Sequence, residues 1–152
     1  MLRKDREIVE KGKIESIIGK ALCCRIGLVD GDEPYVVPVN FGYERNALYF
    51  HGALKGRKID IIRKNNKVCF EIDTDLEIKK ADKPCDWGMK YRSVIGAGSA
   101  RILENDGEKT HGLSLIMKQY TVSDFTFPKP SLDSVLVIKI DISSISGKQS
   151  GY

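Results

Sequence analysis

Apolar and polar positions alternate along this chain in a way that predicts mostly strands, with a few helices between them. Between Asp5 and Lys20, Ile14, Ile17 and Ile18 stand at i, i+3 and i+4, and Ala21 and Leu22 continue the stripe. That spacing is one face of an amphipathic helix. Three apolar runs follow, Ala21 to Val29, Pro34 to Tyr43 and Asn46 to Gly52, parted by Asp30-Gly31-Asp32 and Glu44-Arg45. Polar, glycine-bearing breaks between such runs predict an antiparallel meander. In the second run Tyr35, Val37, Val39, Phe41 and Tyr43 recur at period 2, as on a strand with one buried face. Pro38 lies inside it and cannot donate to a ladder, which predicts an edge strand or a bulge.

Further on, Ile59 and Ile62 with flanking basic residues predict a short helix over Gly56 to Asn65, opened by Gly56. Lys67 to Thr74 alternates Val68, Phe70 and Ile72 with polar residues and reads as a strand. Ser93 to Leu103 is another, where Gly96 and Gly98 permit a bend or the close approach of a second backbone. Leu113, Ile116 and Met117 place a second amphipathic helix between Asp106 and Tyr120. Thr121 to Asp133, with Pro128 and Pro130, reads as a surface excursion, and Leu136, Ile138, Ile140 and Ile142 as one face of a last strand. About six strands and three helices, without regular strand–helix alternation, argue against a doubly wound parallel sheet. The fold class expected is mainly β with helices, at the α+β boundary: a small antiparallel barrel whose mouth or dimer seam takes the ligand.

Length narrows this further, because 152 residues make one domain, residues 1–152, with an N-terminal helix. Its 41% hydrophobic and 30% charged residues exclude a disordered or fibrous chain. Met1 to Lys13 lacks the apolar stretch of a secretory signal, and no run approaches membrane-spanning length, so no membrane partner is expected. Cys23, Cys24, Cys69 and Cys85 show no CxxC spacing, which suits a reduced, cytoplasmic protein. Cys23 and Cys24 are adjacent in the first apolar run and face opposite ways, and no His/Cys/carboxylate spacing indicates a metal.

Charge is more informative in its distribution than in its sum. The net charge is +4, yet residues 55–67 alone carry +5, enough for one anion such as a phosphate. A nucleic-acid partner is not expected, since that basic run lacks interleaved aromatic residues for stacking. The stretch Tyr49-Phe50-His51-Gly52-Ala53-Leu54-Lys55-Gly56-Arg57-Lys58 joins a strand end, a glycine-punctuated turn and a cationic helix start. Helix N-termini suit phosphates, and Arg57 can add a planar contact and Lys58 a further charge. It is not a nucleotide P-loop, because Ile59 replaces the magnesium-binding Ser or Thr. Spacing alone leaves an anion site and a solvated basic helix face both open. His51 can titrate near neutral pH, whereas His111 falls on the polar side of the second helix. Trp87, Met89 and Tyr91 offer aromatic and sulfur surface either for a planar substrate or for packing.

Several of these segments, in this order, resemble the nitroimidazole-resistance branch of the pyridoxamine-phosphate-oxidase-like flavoproteins. They are Asp5-Arg6-Glu7-Ile8, Pro34-Tyr35-Val36-Val37-Pro38-Val39-Asn40-Phe41, Tyr49-Phe50-His51-Gly52-Ala53, Gly56-Arg57-Lys58, and Tyr91-Arg92-Ser93-Val94 with Gly96 and Gly98. The likeness runs from about Asp5 to Tyr120, and Ser146-Gly147-Lys148 looks like the family's closing segment. The resemblance implies an FMN-binding split β-barrel, six-stranded and Greek-key-like, forming a homodimer with a flavin in each interface cleft. FMN is the expected cofactor, with FAD as the larger alternative. By residue matching, Gly56, Arg57 and Lys58 would hold the phosphate. Ser93 would add a hydroxyl to that group or to the ribityl chain. Val37, Pro38, Val39 and Asn40 would lie along the isoalloxazine ring, and Phe50, His51, Gly52 and Ala53 would line the adjoining wall. His51 is the catalytic candidate. The activity implied is flavin-dependent reduction of a small, nitroaromatic substrate of the 5-nitroimidazole kind. A flavin sensor or carrier without turnover and a pyridoxamine-phosphate-oxidase-like activity are the alternatives.

Overall fold

The computed structural model describes residues 3–152; Met1 and Leu2, part of the expected domain, lie outside the described residues. Helix α1 (Lys11–Lys20) buries the expected stripe of Ile14, Ile17 and Ile18. It does not reach back to Asp5. Lys4–Arg6 form a single 3-10 turn, and Glu7–Ile8 form strand β1, paired with Lys148 and Gly147. Ile8 is out of phase with the Ile14 stripe, so a longer helix would turn it away from the core, whereas in β1 it is buried. The stripe also stops at buried Ala21, leaving Leu22 exposed.

The remaining strands are β2 (Cys24–Asp30), β3 (Glu33–Val39), β4 (Phe41–Glu44), β5 (Ala47–Gly52), β6 (Lys67–Lys79), β7 (Gly88–Leu103) and β8 (Leu136–Ser150). All pairings are antiparallel and run in the order β3-β2-β6-β7-β8-β5-β4, with β1 added to β8. The two edges, β3 and β4, are consecutive in sequence and joined through Asn40 alone. The sheet is therefore carried round by the chain but not closed by hydrogen bonds, which is a split barrel. The described residues form eight strands rather than about six, because Glu7–Ile8 form a strand where the helix was expected and the second apolar run divides at Asn40. Pro38 sits on edge strand β3, where its missing N–H breaks no second ladder. The register of β7 on β8 shifts between Ala97 and Gly98. A Cβ on Gly98 would lie 2.3 Å from the Asp141 carbonyl oxygen, so the close backbone approach expected there is real.

Inside the barrel Ile26, Leu28, Phe41, Leu48, Phe50, Phe70, Ile72, Val94, Ile138 and Ile140 form the main core. Helix α2 (Arg57–Lys64) adds Ile59, Ile61 and Ile62, each such side chain contributing roughly 1.5–3 kcal/mol of burial. On the outer face, Ala47, Tyr49, Leu103 and Val137 pack against Leu115 and Ile116 of helix α3 (Asp106–Lys118). Gly42 lets α3 settle on β4, since a Cβ there would be 2.4 Å from the Leu115 carbonyl carbon. Past α3, the Tyr120 hydroxyl accepts from the Phe41 N–H at 3.0 Å and donates to the Leu22 carbonyl at 3.1 Å. The Gln119 amide donates to the carbonyls of Ile18 and Ala21, both at 2.9 Å. The proline-bearing excursion is mostly exposed, with Thr121 and Phe127 partly buried and Leu132 of helix α4 (Lys129–Asp133) buried; the Leu132 carbonyl accepts from buried Lys109.

Candidate functional site

Strand β5 passes between β8 and β4, but its pairing with β4 ends where Phe50 meets Phe41. His51 and Gly52 run on, held on one side only, by Val137 and Leu136 of β8. Ala53 to Gly56 then turn the chain into α2, with Gly56 at φ 139, a conformation only glycine adopts without strain. Arg57, the first residue of α2, reaches the β2–β3 hairpin. Its Nε donates to Asp30 at 3.0 Å and its Nη2 to Glu33 at 2.8 Å, with the guanidinium 4.7 Å from the Tyr35 ring centroid. The turn from β5 into α2 thus lies alongside the free edge of β3, and the opening between them is the split in the barrel.

Charge at this opening is uneven. The Lys58 ammonium lies 5.5 Å from the Phe50 ring centroid and has no carboxylate partner among the described residues. Burial holds its pKa below the ordinary lysine value. Gly52 makes room for that side chain, since a Cβ there would lie 3.3 Å from the Lys58 Cε. Burial, and secondarily the Lys58 charge, lowers the His51 pKa from 6.5, so this imidazole is neutral at pH 7. Helix α2 opens without a side-chain cap, and among the described residues the N–H groups of Arg57 and Lys58 have no backbone partner. The unpaired donors of the site thus converge on the start of α2.

Of the residues expected to hold a flavin, Phe50, His51, Gly52, Ala53, Gly56, Arg57 and Lys58 come together here. Val37, Pro38, Val39 and Asn40 follow on β3 from Tyr35 and lead away from Arg57. Val37 is half-buried, Val39 is buried, and Pro38 and Asn40 are exposed. The last three line a concavity of about 270 Å³ with Leu22 and Cys23. Ser93 lies elsewhere. It pairs with Asp73, whose carboxylate is held by Arg25 at the start of β2, whereas Arg57 is held by Asp30 at the end of β2. Five residues of extended chain, about 17 Å, separate those levels, so Ser93 and Arg57 of one protomer do not meet.

Trp87 and Met89 are half-exposed on the far extension of the β6–β7 hairpin, where the Trp87 indole donates to the Ala81 carbonyl at 2.6 Å. All four cysteines are free, and burial pushes the Cys24 thiol up. Among the described residues no cluster of His, Cys, Asp and Glu could hold a metal. Among the described residues no helix is long and apolar enough to cross a membrane. The sequence reading missed the hold of Asp30 and Glu33 on Arg57 and the Tyr120 bridge at the β3–β4 joint. The only available signal for the first was the acidic composition of the 30–33 turn.

Over residues 10–149 the chain matches the sequence family described as pyridoxamine 5′-phosphate oxidase. It is similar to the crystal structure of a candidate 5-nitroimidazole antibiotic resistance protein from Bacteroides thetaiotaomicron. The identity is 35% and the TM-score 0.85, covering 94% of this chain and 86% of that one. The flavocytochrome Anf3 from Azotobacter vinelandii shares the fold at TM-score 0.83 and 17% identity, with 96% and 70% of the two chains covered. So does a FAD-binding protein from Mesorhizobium loti, at TM-score 0.70, 20% identity, and 96% and 98% covered. A 55-residue stretch, 36% of this chain, is 36% identical to the uncharacterized protein RA0666 of Rhizobium meliloti (strain 1021) and spans 32% of that relative's length.

Proposed function

The chain belongs to the pyridoxamine 5′-phosphate oxidase family, and from that premise we propose that it is an FMN-dependent oxidoreductase reducing a small nitroaromatic molecule of the 5-nitroimidazole class. The observation that carries this reading is the uncapped start of α2, where Lys58 stands over Phe50 without a carboxylate among the described residues and Arg57 reaches the β2–β3 hairpin. The donors present fit a phosphate. Lys58 brings a half-buried charge, the first α2 amides point outward, and Arg57 spends only two of its roughly five N–H donors on Asp30 and Glu33. A terminal phosphate monoester, close to doubly charged at neutral pH, matches that set better than the internal pyrophosphate of FAD. The likeness to a nitroimidazole-resistance protein at 35% identity supports the substrate class.

In this reading the flavin supplies the electron transfer. The protein positions it and excludes water. Edge strand β3 offers the ring the backbone groups on its unpaired side, from Val37 to Asn40, apart from Pro38, which has no N–H. His51, neutral at pH 7, would donate its one ring N–H to the substrate as a hydrogen bond and, for a proton given up there, take one from solvent at the other ring nitrogen. Two copies form the unit in this reading, and within one protomer Ser93 stays apart from the phosphate position at Arg57. Exposed Val36 (62%) and Ile95 (56%), on the outer face of the β3-β2-β6-β7 run, suit such a seam.

Incubation with FMN, FAD or riboflavin, desalting, and a visible spectrum test the cofactor. FMN is expected to be retained and riboflavin lost; a protein that stays colourless with every flavin would overturn the reading. Anaerobic reduction of the FMN-loaded protein, then mixing with a 5-nitroimidazole, is expected to restore the oxidised spectrum. Reduced flavin that persists would leave a carrier in place of an enzyme.

A further inference from the structure

We propose that the outer face of the barrel carries a second binding site, under the start of α3, for a small monocyclic carboxylate. A cavity of about 250 Å³ is lined there by Tyr49, Arg101, Leu103, Gly107, Glu108, His111 and Lys139. Strand register builds its floor: Tyr49 pairs with Lys139, and Lys139 with Arg101, so a phenol, an ammonium and a guanidinium stand side by side. Gly107 and Glu108, in the first turn of α3, and His111 form the roof. The His111 ring meets Tyr49 edge-on, at 5.9 Å between centroids and 86° between planes.

Tyr49 is only 7% exposed, and its hydroxyl makes no hydrogen bond among the described residues. It is not sealed either, because the only sealed, unpaired side-chain atom among those residues is the Thr74 hydroxyl oxygen. The phenol therefore opens into the cavity. The other donors point to the same ligand. Lys139 gives one contact to Asp141 at 2.5 Å, and Arg101 gives one hydrogen bond to Glu108 at 3.0 Å, with Asp141 3.7 Å away. Most of their N–H groups remain free. The Asn105 cap takes the Glu108 amide at 2.7 Å, leaving the amides of Asp106 and Gly107 without a protein acceptor among the described residues. The acceptors, in contrast, are engaged. Glu108 spends one oxygen on Arg101 and the other on Asn105, and Glu44 takes His111 at 3.1 Å.

A cavity with surplus donors, engaged acceptors and a helix N-terminus recognises an acceptor bearing negative charge. Leu103 and the Tyr49 ring give that anion an apolar, aromatic wall, and the volume admits one ring. Neither the flavin nor the α2 corner enters this inference.

The test is a titration of the full ¹⁵N-labelled chain with sodium benzoate, and with neutral benzamide, at constant ionic strength, read by amide chemical shifts. Saturable shifts are expected at Gly107, Glu108 and His111, with benzamide at least about tenfold weaker. Tyr49→Phe should weaken benzoate by about tenfold through loss of one charge-assisted hydrogen bond. Lys139→Gln serves if Tyr49→Phe does not fold. Equal binding of benzoate and benzamide, shifts confined to Arg57 and Lys58, or unchanged affinity in the folded variants would each overturn the proposal.

Discussion

Two corners of this barrel share β5 and use the same residue types, yet they treat charge in opposite ways. At the α2 corner Lys58 is half-buried without a carboxylate among the described residues, and its cationic form is held below its usual stability. At the α3 corner Lys139 and Arg101 share Asp141, and Arg101 also holds Glu108. A partly buried cation without a partner costs stability until an anion arrives, so ligand binding at α2 stabilises the fold as well. The α3 corner is already neutralised and can recognise an anion only through left-over donors. On the proposed readings, tight, stabilising binding is expected at the first corner and weak, selective binding at the second.

The largest effect that would break this contrast is the loss of both α2 cations. Arg57→Ala with Lys58→Ala should weaken FMN by at least about 100-fold in a fluorescence titration while changing riboflavin by less than about threefold. Equal losses for both flavins would deny the corner its phosphate role. A smaller change at the other corner sharpens the comparison. Gly112→Ala would put a Cβ 2.7 Å from the Val137 Cγ1 and 3.2 Å from the Tyr49 Cδ1. The helix-propensity gain of roughly 1 kcal/mol is outweighed by overpacking against fully buried Val137. Net destabilisation of about 1–2 kcal/mol by chemical denaturation is expected, with FMN uptake retained.

The smallest effect is one of pH. His51 titrates below 6.5 because of burial and the Lys58 charge. Its depressed pKa means that the unfolded chain binds the proton more readily. The contribution of His51 to stability is therefore complete above about pH 6.5 and declines as pH falls through that value toward the folded pKa. In an NMR titration Lys58→Met should raise the His51 midpoint toward 6.5. A His51 midpoint that ignores Lys58 would separate the two groups and weaken the case for one site.

Much of the fold was legible where periodicity was long. The Ile14 stripe and the alternation in β6 each named an element and its buried face, because burial on one face needs a fixed period; the Leu113-Ile116-Met117 spacing named a helix, but its buried face is Lys109, Gly112, Leu115 and Ile116, with only Ile116 in common. Pro38 narrowed its run to an edge strand or a bulge, since proline cannot serve two ladders, and the structure makes it an edge strand. Glu7 and Ile8 were not set apart from the helix, because two residues have no period and only pairing with Gly147 and Lys148 makes them a strand. The second apolar run showed no sign of dividing at Asn40, where β3 keeps β2 as partner and β4 takes β5. At the α2 corner the segment from Phe50 to Lys58 could be read directly, because its residues are close in sequence. Ser93 could not be placed that way. Its distance from Arg57 depends on which end of β2 each strand meets.

The sequence by itself determined most of the strands and helices, most of their apolar faces, and where the basic residues would cluster. These depend on neighbours a few residues apart, whose geometry the backbone dictates. Only the tertiary structure decided that Arg57 is held by Asp30 and Glu33, that Tyr120 bridges Leu22 and Phe41, and that Tyr49, Lys139, Arg101 and His111 share one cavity. A period reports the face on which a residue lies, but not its partner. Partners are chosen by strand register and helix docking, which answer to the packing of the whole core.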